Sequence, residues 1–328
     1  MNLSHGHIIR EPVGNRGGFW AGAPGAFYET TEKAWYLTYR VRRPRGVQPD
    51  RGGEAHIARS TDLKHWENIW SVNKAEYKTA SIERGTIHRG TDKVWRYFTS
   101  YVDPADGRWC VAMLRGTVAK QLYARNVETV LKAAPLGLEG IKDPWILRHE
   151  NVYYMFLSVA VPTPKTTGQA HATLDIYNTG ECLSATGLAT SSDLDHWKWQ
   201  GIVFRPNGTG WDGYCRRINS VVPMDGNFVA FYDGSASHEE NYEEKTGVAI
   251  SDNLRHWRTL SAKGPAHISP HGSHSLRYLD AQTDGRKAFL FYECARADGA
   301  HDLRLLTMEQ GQFQDSLNRM LPAALRSA

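Results

Sequence analysis

Three carboxylates stand where strands begin or end. Asp143 precedes Pro144 at the head of an apolar strand, Glu83 sits in the segment SIERG, and Asp233 closes an aromatic run before Gly234. Two carboxyl groups held at one site can serve as proton donor and base, provided the scaffold carries them to the same end. The stretch GIKDPWILRHENVYYMFLS, residues 140–158, reads as a hairpin that does this. Pro144 cannot donate to a strand ladder and belongs at a strand's first residue, with Trp145, Ile146 and Leu147 starting the pairing. His149, Glu150 and Asn151 make the turn, and Val152 to Leu157 run back as an apolar strand covered on both faces. Asp143 and Ser158 therefore share one end. Each carboxylate also has a plainer reading: an Asx-type cap for Asp143, an ion pair with Arg84 for Glu83, and an Asp-Gly hairpin turn for Asp233.

The elements that would position these groups recur. Ser60-Thr61-Asp62-Leu63-Lys64-His65-Trp66, Ser191-Ser192-Asp193-Leu194-Asp195-His196-Trp197 and Ser251-Asp252-Asn253-Leu254-Arg255-His256-Trp257 share one pattern, each following a short apolar strand. Between them lie hairpins of one type at 25–40, 81–101, 141–158, 217–234 and 275–293. The spacing suits propeller blades, and the absence of a long amphipathic helical pattern disfavours α/β folds. The expected fold is all-β: a five-bladed β-propeller of four-stranded antiparallel blades around a central channel. It would be one domain over 1–328, with blades near 18–72, 78–133, 138–205, 212–262 and 270–320. SLNRMLPAAL near the C-terminus reads as a short helix or a closing strand.

In a propeller the start of each blade's first strand and the end of its second open on one face. That mouth collects Ala23, Glu83, Asp143, Arg216 or Arg217, and His274 from first strands, and Arg40, Tyr101, Ser158, Asp233 and Glu293 from second strands. The long irregular segments 41–54, 161–181, 235–246 and 294–301 leave from the same face, as substrate-binding loops do. The Asp, His and Trp of the three repeats belong instead to outer-blade turns, so the expected role is structural.

Composition bounds the remaining classes. Hydrophobic residues make up 41% of 328, and 11 Trp with 15 Tyr is a heavy aromatic load that suits strands and sugar-binding surfaces. The net charge of +4 comes from scattered rather than blocked Lys and Arg, which gives no nucleic-acid footprint. Cys110, Cys182, Cys215 and Cys294 lie far apart without a CxxC pair and read as free thiols in a reducing compartment. The N-terminus lacks a basic n-region and an apolar h-region, so the expected location is cytoplasmic, with no membrane partner. His271 and His274 in HGSH lack a third ligand in sequence reach, so no metal or cofactor is expected; a channel ion such as calcium is not indicated.

IKDPWILRHENVYYMFLS and the S-x-D-L-x-H-W repeats resemble the five-bladed β-propeller glycoside hydrolases, the superfamily holding families 43, 62, 32, 68, 117 and 130. GLEGIKDPWI is similar to the acidic Glu-Asp-Pro-Arg motif of the mannoside phosphorylases and hydrolases, and TEKAWYLTYRVR to their first-blade strand. The resemblance implies a glycosidase and carries over only Asp143, as a pocket carboxylate that is either the acid or a modulator of another acid's pKa. Glu83, heading the adjacent inner strand, is the expected partner in an exo-acting, inverting enzyme for a small oligosaccharide or glycoside. Asp233, which follows an apolar strand, is a third candidate. Inverting enzymes hold the two groups roughly 6.5–9.5 Å apart. Arg40, Arg216 and Arg217 would bind hydroxyls, carboxylates or phosphate through their forked donors, while Arg42 reads equally as a rim ion pair. Trp20, Tyr101, His274 and Glu293 complete the expected substrate-binding set, and Glu54, Glu181, Glu239 and Glu240 are within loop reach. Family 43 places an Asp before proline on its first inner strand. Here that position reads Gly22-Ala23-Pro24-Gly25, and Arg216-Arg217 stand where a general-acid Glu is expected in blade four. A phosphorylase with Arg216 and Arg217 holding phosphate, and a non-catalytic carbohydrate-binding propeller, are the two alternatives.

Overall fold

The computed structural model describes residues 1–174 and 176–321. A short strand β1 (His7–Arg10) precedes β2 (Trp20–Glu29), β3 (Ala34–Arg42), β4 (Glu54–Ser60) and β5 (Glu67–Asn73). Next come β6 (Ile82–Arg89), β7 (Trp95–Val102), β8 (Trp109–Gly116) and β9 (Glu128–Leu131). They are followed by β10 (Gly140–His149), β11 (Val152–Pro162), β12 (Cys182–Ser191) and β13 (Lys198–Phe204). Then come β14 (Cys215–Met224), β15 (Asn227–Ser235), β16 (Lys245–Ser251) and β17 (Arg258–Thr259). The series ends with β18 (Leu276–Thr283), β19 (Lys287–Ala295), β20 (His301–Glu309) and the helix α1 (Gln310–Asn318).

The fold is all-β and of propeller type. Each consecutive group pairs as an antiparallel meander: β2 to β5, β6 to β9, β10 to β13 and β14 to β17. The last group is β18, β19 and β20, and its fourth strand comes from the other end of the chain, because β1 pairs antiparallel with β20. The tail supplies α1 rather than a closing strand as far as Leu321, and the rest of SLNRMLPAAL lies outside the described residues. The first strands meet in order: β2 touches β6, β6 touches β10, β10 touches β14, β14 touches β18, and β18 touches β2.

Apolar faces of neighbouring groups interlock. Phe98, Val111 and Met113 of the second group pack with Ile141, Ile146 and Met155 of the third. The repeated turns hold the outer strands to the groups before them. Asp193 Oδ1 accepts the N–H groups of Asp195 and His196, and its Oδ2 lies 2.8 Å from His196 Nδ1. Asp62 and Asn253 bond the equivalent backbone N–H groups. Leu63, Leu194 and Leu254, with φ of 63°, 68° and 63°, turn the chain so that their carbonyls accept from Trp66, Trp197 and Trp257 Nε1. Those tryptophans meet Phe291, Phe98 and Phe156 edge-on, in each case an aromatic of the neighbouring group. Edge-on aromatic pairs contribute about 0.5–1.5 kcal/mol each beyond burial. The motif is thus an inter-group clamp, as its recurrence implied.

Candidate functional site

Every first strand breaks its ladder at the same place. Two residues of the first strand face one of the second at Ala23-Pro24, Glu83-Arg84, Asp143-Pro144, Ile218-Asn219 and Tyr278-Leu279. Such bulges re-aim a side chain that would otherwise lie on a sheet face. Three of these positions, Ala23, Asp143 and Tyr278, have φ of 52°, 55° and 52°, a conformation that costs non-glycine residues of order 1–3 kcal/mol. Immediately before each bulge, Gly22, Ile82, Lys142, Arg217 and Arg277 pair directly with Arg40, Tyr101, Ser158, Asp233 and Glu293. The bulge and this pair set candidate side chains at one end of the strands.

There they meet a cavity of about 230 Å³, below the roughly 300–1,000 Å³ of drug-sized sites. Arg40, Arg42, Glu83, Lys142, Arg217, Glu244, Arg277 and Tyr278 line it, with Trp109, Tyr177 and Tyr242 supplying aromatic wall. The charges are buried and interlocked. Arg40 Nε lies 2.7 Å from Glu83 Oε2, and Arg40 also reaches Glu293 at 3.4 Å. Arg277 donates to Glu293 Oε1 at 2.7 and 3.0 Å and to Glu244 Oε2 at 2.6 Å, while Arg217 pairs with the other oxygen of Glu244. Glu293 further accepts the Ala23 N–H and lies 2.8 Å from His301 Nδ1. Gly22 makes room for this, since a Cβ there would overlap the Glu293 carboxylate. A neighbouring group's carboxylate thus occupies the ground beside Ala23, where the family 43 resemblance implies an Asp.

Asp143 is 2% exposed, and neither of its oxygens has a hydrogen-bond donor among the described residues. Lys142 Nζ lies 3.6 Å from it and is itself held over the rings of Trp109 and Tyr177 at 5.0 and 4.8 Å. The Asp143 N–H donates to Ser100 Oγ, which anchors the bulge. Burial raises the Glu83 pKa, but Arg40, then Lys142, Arg42 and Arg51, outweigh it and bring the group down to about 2. Burial drives Asp233 the other way, up to about 6, against the pull of Arg217 and the Tyr278 N–H. Burial also lowers Lys142, opposed by Asp143 and Glu83. The Tyr278 hydroxyl is raised, chiefly by burial and then by the Asp143 charge.

The structure therefore brings Arg40, Glu83 and Arg217 to the cavity, whereas Asp143 does not line it: its buried carboxylate lies beside Lys142, which does. Glu293 and Asp233 lie behind the wall: Glu293 clamps Arg40 and Arg277, and Asp233 Oδ1 accepts the Tyr278 N–H at 2.9 Å. Trp20 stacks on His301 at 4.7 Å and lies against Arg42 and Arg277. Arg216, Tyr101 and His274 are directed elsewhere. Arg216 alternates to the other face of β14 and pairs with Asp212 at 2.9 Å. Tyr101 packs on Tyr77 and bonds Thr129, and His274 turns back to the Ser269 carbonyl. Glu54 and Glu181 are tied to Arg43 and to Thr167. The five-membered pattern had placed His274 at the fifth mouth position, three residues before Arg277. Pairing back from Glu293 finds Arg277 and Tyr278. Lys142, adjacent to Asp143, was legible in the same way. Glu244, Tyr177 and Tyr242 come from long loops and carry no periodic signal.

Among the described residues no group of three or more His, Cys, Asp or Glu is placed to hold a metal ion, and no helix is long and apolar enough to cross a membrane. The four cysteines are buried and unpaired.

No protein-family model matches the chain. Among solved structures it is similar to a thermostable family-43 glycoside hydrolase, with TM-score 0.61, 14% identity and 92% of each chain covered. It is similar to a GH32 β-fructofuranosidase of Bombyx mori, with TM-score 0.62 and 16% identity over 93% of this chain and 62% of that one. It is also similar to a β-1,2-mannobiose phosphorylase from Listeria innocua in complex with β-1,2-mannobiose, with TM-score 0.59 and 14% identity over 94% of this chain and 95% of that one. The chain accordingly has the fold shared by the propeller glycoside hydrolases and phosphorylases, and at these identities no single family among them is set apart.

Proposed function

We propose that the protein is a single-domain glycosidase of the five-bladed propeller type, its five strand groups forming a ring closed by β1 on β20. Its substrate is a small glycoside held end-on in the central cavity. The observation that carries this reading is that Glu83 and Tyr278, from equivalent bulges of two groups, line one polar cavity, with Lys142, the residue before Asp143 at the bulge of a third group, in its wall. A cavity of about 230 Å³ suits one sugar-sized unit, which favours exo action.

The two carboxylates divide the work by environment. Glu83, with a pKa of about 2, stays ionised beside Arg40, Lys142 and Arg42. An ionised carboxylate of such low basicity suits stabilisation of positive charge at the anomeric carbon, or orientation of an incoming water, better than strong proton abstraction. Asp143, whose buried carboxylate lies beside the cavity-lining Lys142, is our candidate for passing a proton to the leaving oxygen. Lys142 at 3.6 Å steadies the carboxylate that remains. Asp233 acts at one remove, fixing the Tyr278 backbone from behind. The expected stereochemical outcome is inversion, read by proton NMR of fresh product.

Asp143→Asn is the test. Loss of at least about 100-fold in turnover on the best aryl glycoside, the general size of an acid–base contribution, with an unchanged unfolding midpoint and retained sugar affinity, supports the assignment. Full activity removes it.

A second reading is phosphorolysis, favoured by the buried guanidinium groups of Arg40, Arg42, Arg217 and Arg277 around the cavity. Arg216 takes no part in it, being bound to Asp212. Cleavage that requires inorganic phosphate and releases a sugar 1-phosphate would establish it.

A further inference from the structure

The cations around the cavity are not equally occupied. Arg40 is answered by Glu83 and Glu293, Arg277 by Glu293 and Glu244, Arg217 by Glu244, and Lys142 by Asp143. Arg42 is different. It is 6% exposed and lines the cavity, yet no carboxylate pairs with it among the described residues. Its guanidinium lies against the rings of Trp20 and Tyr242, at 4.1 and 4.8 Å from their centroids. Ring faces attract a guanidinium without accepting its N–H bonds, so the forked donors of Arg42 remain for a ligand.

We infer that the cavity takes a sugar bearing a carboxylate, a uronic acid residue, with Arg42 gripping the carboxylate through its forked donors. The inference rests on the glycosidic reading and narrows its substrate class. A neutral sugar would leave Arg42 buried without a direct ion-pair partner, which is costly. A planar carboxylate matches the two parallel N–H bonds that one fork offers. Burial, then the nearby charge of Arg51, push Arg42 down to about 9, the direction expected where a site is short of negative charge. Of the alternatives, free phosphate carries more charge than one unanswered guanidinium balances.

The test uses the intact wild-type protein and calorimetric titration at neutral pH and low salt. The probes are matched pairs, galacturonate with galactose and glucuronate with glucose, together with inorganic phosphate alone. At least one uronate is expected to bind at least about tenfold more tightly than its neutral partner, the size of one charge-assisted contact of about 1.4 kcal/mol. Arg42→Gln should bring that ratio close to one, and Arg42→Lys, which keeps the charge but loses the fork, should keep part of it. Equal or weaker binding of both uronates overturns the inference and leaves the glycosidic reading standing if the neutral sugars bind. Phosphate binding without a uronate preference overturns it in favour of phosphorolysis. Failure of every sugar to bind overturns this inference and the glycosidic reading together.

Discussion

Replacing Glu83 by Gln removes the carboxylate that answers Arg40 Nε at 2.7 Å, in a place where both side chains are almost fully buried. Glu83 falls from the ordinary 4.5 to about 2 in the folded protein. At about 1.4 kcal/mol per pKa unit, that shift corresponds to about 3 kcal/mol of stability at neutral pH. Because the folded pKa is depressed, this contribution is complete above the unfolded value of 4.5 and is lost as pH falls toward 2. About 2 kcal/mol of it should be gone by pH 3. Glu83→Gln should therefore lower the urea midpoint strongly at pH 7, leaving Arg40 with only the 3.4 Å contact to Glu293. The gap between variant and wild type should narrow as the medium is acidified from pH 5 to pH 3. A gap that stays constant across that range would refute the claim that the buried ionised carboxylate, rather than packing, is what the substitution removes. The same variant should lose turnover on any glycoside the wild type cleaves.

Other outcomes follow from the same structure. Asp233 has its pKa raised to about 6, so its ionisation opposes folding as pH rises from about 4 through 6; Asp233→Asn, which keeps the acceptor for the Tyr278 N–H, should gain up to about 3 kcal/mol over wild type at pH 7 and nothing at pH 4, by urea unfolding. Trp197→Ala should cost about 2 kcal/mol by removing a half-buried ring from Phe98, while turnover stays at the wild-type level because the turn lies away from the cavity. Deleting residues 1–12 removes β1 and exposes the edge of β20, so the shortened protein should melt earlier and aggregate, as judged by thermal scanning and light scattering.

The fold was legible because its signals are local and repeated. The S-x-D-L-x-H-W turn carries its own hydrogen bonds, from Asp193 to the backbone of Asp195 and His196, so residue type and spacing alone predict it. Alternation along the hairpins likewise placed Glu83, Asp143, Arg40 and Asp233 at strand ends. β1 was not legible as the partner of β20, since pairing residues about 300 positions apart depends on where the two chain ends arrive. The repeat points to His274 in place of Arg277 for a related reason: the length of the loop before β18 sets the count from one mouth position to the next, and loop length has no period.

By itself, the order of residues determined a repeating β architecture, the end of each hairpin on which the ionisable groups fall, and the structural duty of the repeated Asp, His and Trp. The tertiary structure alone decided which charges answer one another. Glu293 binds Arg277 of its own group but also Arg40 and the Ala23 N–H of the next, across the space left by Gly22. Arg42 has no paired carboxylate among the described residues; its close neighbours are the rings of Trp20 and Tyr242, from β2 and a distant loop. Electrostatic balance in a buried site is a sum over neighbours from every element, and no one segment of the chain contains it.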